Sequence, residues 1–380
     1  MEKMGRKEEE EEQAVEGLPN DLVWEFLLRV PYRSLCRFKS VSTSWLTLGT
    51  IRFINLSGRG RPLIDPSLPF LHGFKNVKIL NCCGGILLCH GIRAERAEYI
   101  VCNPATEKVW AALPVPDSTT PLPDSHDTPC PRFHGRTICL CFDPTVPSCF
   151  TVFVINDNGH AITATDVYSS DTGEWTFMSG RWGHRVVVYC GEPKYFFLND
   201  TLHVTAYDSR LETFDLNHNS LNMIVTMDTG GNTWRTTRQP PQTEFTFIGL
   251  SQGRLHGIEM EDGNGCRISV WILEDYASGR WTLKHTTSIL DLLGRPCLEH
   301  REYYVFVALL QNGKRIINPF FNDGVERERT LMSYDMDTQK LHVICNLEDY
   351  QMQNFRPYTP CFMEWRCQML TEVQSRFTFG

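Results

Sequence analysis

From about residue 76 to residue 366 the apolar residues come in short runs of strand length. Gly, Asn, Asp and Pro separate the runs, and none of them keeps a helical period. The runs recur with a turn followed by an aromatic or aliphatic residue: Asn103–Trp110, Ser170–Trp175, Asp215–Leu221, Tyr276–Trp281 and Asp335–Leu341. The last residues of these segments lie 65, 46, 60 and 60 positions apart. A second hairpin pattern precedes four of them: Leu80–Leu87, Leu198–His203, Leu250–His256 and Leu310–Ile316. The remaining unit has Thr137–Pro144 followed by Phe150–Val154. Each unit reads as strand, turn, strand, loop, strand, turn, strand. An antiparallel four-stranded unit repeated five times predicts an all-β propeller. A sandwich would not repeat a whole meander at this period. The leftover ends, 51–75 and 352–366, offer a closing blade, so six blades are expected.

The front of the chain has a different period. Leu22, Phe26 and Arg29 share one helical face, with Val23, Leu27 and Val30 beside them. Asn20 or Asp21 can cap this helix and Pro31 stops it. Tyr32 to Ser40 predicts a second short helix. Ser42 to Leu48 predicts a third, ending at Gly49. Three short helices expose more apolar surface than they can hide among themselves, so the unit needs a partner.

Charge and composition narrow the function. The 380 residues carry a formal net charge of −8, which argues against a general nucleic-acid binder. Residues 1–16 hold seven acids and three bases and read as a disordered acidic tail. Residues 17–56, the helical unit, hold two acids and five bases. Residues 57–75 read as a connector and possible closing strand, 76–366 as the propeller, and 367–380 as a tail. No apolar run is long enough to span a bilayer, and the charged start is no secretory signal. The 15 cysteines are therefore expected as reduced thiols in cytoplasm or nucleus, most of them inside strands as small hydrophobes.

Catalytic chemistry finds little support. Gly249-Leu250-Ser251-Gln252-Gly253 fits a nucleophile elbow, but Arg254–Met260 alternates like a strand where an elbow needs a helix. No Cys-x-x-Cys, His-Glu-x-x-His or Gly-rich phosphate loop occurs, so no metal or other cofactor is expected. The promising surface lies in the loops that join second to third strands and unit to unit, which leave a propeller on one face. By this reading they are 91–97, 114–135, 179–192, 228–244, 261–265, 288–302 and 322–329. They carry Arg93, Arg132, Trp182, Arg185, Trp234, Arg235, Arg238 and Arg327. Arg and Trp dominate binding energy at interfaces, so this face is expected to grip a target protein.

Two resemblances add to this. Leu18-Pro19-x-Asp21-Leu22, then Leu27-x-Arg29-Val30-Pro31, Ser34-Leu35-x-Arg37-Phe38-Lys39-x-Val41 and Trp45 stand in the register of the F-box. Asn103-Pro104-x-Thr106, Tyr168–Trp175, Val270–Tyr276 and Ser333–Asp335 resemble the kelch-like associated domain that follows the F-box in many plant proteins. The resemblance implies a non-catalytic substrate receptor of a Skp–cullin–F-box ubiquitin ligase. Leu18, Pro19, Leu22, Leu28, Val30, Pro31, Leu35, Val41 and Trp45 would meet the Skp-type adaptor and, through it, cullin and RING subunit. The propeller would hold an unidentified target. A non-degradative scaffold, or a propeller that binds carbohydrate or peptide, would share these residues.

Overall fold

The computed structural model describes residues 44–46, 64–116, 135–145, 149–157, 161–179, 186–188, 195–208, 223–230, 233–240, 243, 245–261, 267–294, 302–304, 308–310, 315–322, 329–346 and 356–363. All of them fall in the compact unit that spans 41–380. Strand β1 (Ser44–Leu46) comes first. Sheet one follows: β2 (Lys75–Cys83), β3 (Ile86–Arg93), β4 (Arg96–Asn103) and β5 (Lys108–Pro114). Sheet two is β6 (Gly135–Phe142), β7 (Phe150–Asp157), β8 (Ile162–Ser169) and β9 (Glu174–Ser179). In sheet three the first strand is broken into β10 (Val186–Val188) and β11 (Tyr195–Leu198). Both pair with β12 (Thr201–Asp208), and β13 (Met223–Asp228) and β14 (Trp234–Arg238) complete it. Sheet four is β15 (Phe245–Ser251), β16 (Arg254–Glu261), β17 (Arg267–Asp275) and β18 (Arg280–Ser288). Sheet five breaks its first strand again, into β19 (Glu302–Tyr304) and β20 (Ala308–Leu310). Both pair with β21 (Arg315–Asn322), followed by β22 (Arg329–Asp335) and β23 (Lys340–Asn346). Every pairing is antiparallel.

The sheets stack in chain order. Leu88 and Val101 pack on Phe142 and Val152, joining sheet one to sheet two. Cys139, Phe153 and Val167 meet Val204 and Val225 of sheet three. Ile224 meets Phe245, Leu255 and Leu273 of sheet four, and Ile258 and Val270 meet Met332 and Tyr334 of sheet five. Central strands are thus covered on both faces. That is why Ile86-Leu87-Leu88-Cys89 and Tyr99–Cys102 are unbroken apolar runs rather than alternating ones. The outer strand β18 is covered less and reads mostly polar. First strands of neighbouring sheets adjoin: β2 with β6, β6 with β11, and β15 with β20.

Turn chemistry sets the register. In the third-to-fourth turns, Asn103, Ser169, Asp275 and Asp335 accept from the backbone N–H two residues on, at 3.0, 3.3, 2.9 and 3.1 Å. The turn then closes through a left-handed residue in the same place each time: Glu107, Gly173, Gly279 and Gln339, with φ of 54, 73, 65 and 54°. Three first-to-second hairpins close on two positive-φ residues, Gly84-Gly85, Asn199-Asp200 and Gln252-Gly253. Two such residues make the type I′ turn that matches strand twist.

Three expectations change. The third turn is not Asp215–Leu221 but the segment between β13 and β14. There Asp228 accepts from the N–H and hydroxyl of Thr233 at 3.1 and 2.8 Å. Asp228 to Trp234 repeats the Asp-Thr-Gly and closing Trp of Asp171–Trp175 with a longer turn, which hid the match. Ser44–Leu46, expected in a helix, is extended and pairs with β24 (Arg356–Tyr358). Trp favours extended backbone, and a partner strand satisfies main-chain groups that three residues cannot satisfy as a helix. A short helix, α1 (Ile289–Leu293), also went unread. Its capping box is Ser288 with Asp291, and Gly294 ends it at φ 72°.

Residues 358–363 close on sheet one. Tyr358 joins Ile64, Leu68 and Leu71 over Ile79, Leu87, Cys89, Ile100 and Cys102. The buried Asn103 Nδ2 donates to the carbonyls of Cys361 and Met363, at 2.7 and 3.2 Å. Gly85, at φ 89°, leaves room for the Thr359 carbonyl and Cys361, into which a Cβ would collide. Asn103→Ala is expected to lower stability by about 1–3 kcal/mol, because it strands two carbonyls, and Gly85→Ala by about 2–4 kcal/mol. Urea unfolding of the full chain measures both. Midpoints equal to wild type would mean that the contacts of 359–363 with sheet one contribute nothing to stability.

Candidate functional site

Arg93 and Arg96 flank the tight turn Ala94-Glu95, whose φ values are 49 and 61°. The turn places both guanidinium groups at the end of the sheet from which second-to-third connections leave. Arg93 is already engaged. Its Nη2 lies 3.0 Å from Glu98 Oε2, and its guanidinium sits 4.8 Å over the Phe74 ring. Arg96 is exposed at the other shoulder.

Trp234, Arg235 and Arg238 are not loop residues. They form β14, the outer strand of sheet three, because the third turn falls later than the sequence reading placed it. Arg238 ends that strand beside the connection to sheet four, on the expected side. Trp234 and Arg235 start it, at the opposite end. The structure therefore brings Arg93, Arg96 and Arg238 to one end of their sheets and sends Trp234 and Arg235 to the other. Arg132, Trp182, Arg185 and Arg327 lie outside the described residues. So do Leu18, Pro19, Leu22, Leu28, Val30, Pro31, Leu35 and Val41. Trp45 is described only as part of β1.

Tryptophans at the turn ends tie neighbouring sheets. Trp175 Nε1 donates to the Pro114 carbonyl at 3.1 Å, and Trp281 Nε1 to the Arg238 carbonyl at 3.0 Å. In both cases a fourth strand bonds to the end of the preceding fourth strand. Ser251 ends β15, and Gln252-Gly253 turns directly into β16. The strand–turn–helix of a nucleophile elbow is not built there.

Sequence reading also passed over a repeated buried histidine. His203 and His256 hold the same place in β12 and β16. Each ring Nδ1 donates to the carbonyl two residues back, Thr201 or Arg254, at 3.1 Å. His203 also meets the Tyr276 ring of sheet four edge-on at 5.6 Å. Leu202-His203 and Leu255-His256 after the tight turns were the available signal.

Residues 15–51 match the F-box domain family, a span that includes all nine residues expected at the adaptor. This is an F-box protein with a C-terminal β-rich repeat domain. Two curated F-box proteins of Arabidopsis thaliana resemble it along most of their length. F-box protein At5g49610 is 23% identical over 337 residues, covering 76% of this chain and 85% of its own. F-box protein At5g07610 is 23% identical over 339 residues, covering 75% of this chain and 74% of its own. Among solved structures, YCF48 bound to a D1 peptide is 10% identical with a TM-score of 0.38, over 84% of this chain and 86% of that one. A prolyl endopeptidase is 12% identical with a TM-score of 0.40, over 85% and 53%.

Burial pushes His256 down to about 4 from 6.5, and His203 down as well. The unfolded F-box protein therefore binds more protons between about pH 6.5 and 4. The contribution of neutral His256 is complete above pH 6.5 and is lost as pH falls through that window. Acidification from pH 7 to 5 is expected to cost on the order of 1–3 kcal/mol through this group, and less in His256→Gln. Urea midpoints at the two pH values measure it. Equal acid sensitivity in the variant would rule out His256 as the source.

Proposed function

We propose that this F-box protein is the substrate-recognition subunit of a Skp–cullin–F-box ubiquitin ligase. The F-box match over 15–51 carries the reading, because the same chain goes on into a β unit large enough to hold a target. In this reading Leu18, Pro19, Leu22, Leu28, Val30, Pro31, Leu35, Val41 and Trp45 dock on the Skp-type adaptor. Cullin and RING subunit follow through it. The β unit acts as a propeller, with five sheets as blades and the β1–β24 ribbon in the closing position. Support comes from the face-to-face stacking in chain order, the adjoining first strands and the return of 358–363 onto sheet one. Arg96 and Arg238 are the exposed cations this reading assigns to the target, and Arg93 contributes through its Glu98-held geometry.

The chain performs no bond chemistry in this role. It holds target lysines beside the charged conjugating enzyme, and such proximity supplies up to about 7–11 kcal/mol of barrier reduction in ideal intramolecular reactions. Buried thiols such as Cys89, Cys102 and Cys141 are compatible with action in the cytoplasm or nucleus.

Pull-down of the tagged chain from plant extract tests the reading, with Leu18→Ala/Pro19→Ala alongside. Adaptor and cullin are expected with wild type and absent with the double variant, while the melting curve of the β unit stays in place. Adaptor recovery by neither bait would refute the ligase role. Equal recovery by both would move the docking surface away from Leu18 and Pro19.

A further inference from the structure

The apolar core between sheets one and two stops short of the end that carries the Arg93–Arg96 turn. A polar layer replaces it. On sheet one, Lys78, His90, Tyr99 and Leu113 are successive cross-strand partners, so their side chains share one face. Leu88 and Val101 next to them fix that face as the one toward sheet two. On sheet two, Arg136 alternates with Ile138, Leu140 and Phe142, which face sheet one. Asp166 lies opposite Val154 on one side and Phe177 on the other. Two basic side chains, an imidazole, a phenol and a carboxylate thus meet across one inter-sheet gap, contributed by β2, β3, β4, β6 and β8.

The contacts and fields agree with this placement. The His90 and Tyr99 rings meet edge-on at 6.2 Å, and Tyr99 lies 6.4 Å from Trp175. Burial holds His90 below its ordinary range, and the charges of Lys78 and Arg136 push it further the same way. Burial raises Tyr99, against which Arg136 pulls down and Asp166 pushes up. Asp166 is buried and Arg136 half-buried, whereas Lys78 is exposed. Among the described residues of this layer, one carboxylate stands with two permanent cations and a histidine, and Lys78 carries its charge at the exposed edge. Phe177, 58% exposed, continues the Asp166 row out to the rim.

Building on the target-presenting reading above, we propose that Lys78, His90 and Arg136 form an anion site for one acidic side chain of the bound target. Asp166 and Tyr99 orient Arg136, and Phe177 receives an apolar neighbour of the anion. The ligand class is an extended peptide segment bearing a phosphate ester or a carboxylate. Charge-assisted bonds from a planar guanidinium and a lysine suit either oxyanion.

Fluorescence polarisation with the full-length chain on its adaptor tests this, using three degenerate peptide pools with phosphoserine, glutamate or serine at the centre, at fixed ionic strength. The phosphoserine pool, the glutamate pool or both are expected to bind more tightly than the serine pool. Preference between the two identifies phosphate or carboxylate as the anion. Lys78→Gln is expected to weaken that binding roughly fivefold, and Arg136→Gln more. Lys78 is exposed, so its variant keeps the fold even if Arg136→Gln does not. Charged pools that bind no better than the serine pool would overturn the proposal. So would a Lys78→Gln protein with an unchanged melting curve and unchanged binding of the charged pools. Adaptor recovery in the same preparations reads the ligase role separately, since Lys78 lies outside 15–51.

Discussion

The β unit depends on how its last strand-like segment is received by its first sheet. A stack of sheets buries both faces of every internal member but leaves its ends bare. Sheet one solves this with Tyr358, seated over Leu87, Cys89, Ile100 and Cys102, and with Asn103, which takes up two carbonyls of the returning chain. Because Asn103 also nucleates its own turn by accepting from Ala105 N–H, one side chain serves local and long-range structure together. Gly85 leaves the space that this arrival needs. Residues more than 250 positions apart thus meet in one contact, while nearly all other pairing lies between successive strands.

Much of this was legible in the sequence, for a physical reason. Strand ends are marked by residues with specific hydrogen-bonding or φ requirements, and those requirements recur with each sheet. Asn103, Asp275 and Asp335 announced their turns because a short side-chain acceptor must stand there, and Trp110, Trp175 and Trp281 because an aromatic sits within the first three residues of the next strand. The third repeat was misplaced because Asp228 to Trp234 makes the same turn with a longer loop, while the polar stretch 215–221 imitated it. Ser44–Leu46 was misread because a partner more than three hundred residues away decides its conformation, which no local pattern reports.

The candidate site was less legible. Arg and Trp could be picked out by type, yet their usefulness depends on which end of a strand they occupy, and one misplaced turn moved Trp234 and Arg235 to the wrong end. The layer of Lys78, His90, Tyr99, Arg136 and Asp166 left no local signature at all. Its members are scattered over five strands and converge only through register and stacking. The repeated His203 and His256 were visible as residues, but their neutrality follows from burial between sheets.

The two ends of the sheets differ in how their connections vary. Four of the third-to-fourth turns keep one length, held by an Asx or serine acceptor and a left-handed closer. At the other end the links run from the two residues Ala94-Glu95 to the whole stretch 115–134. A change of length therefore has opposite consequences at the two ends: it shifts strand register at the tight turns and leaves it intact in the long links. A long link can change length without disturbing any turn that sets register, so the connections at that end are the freer part of the scaffold.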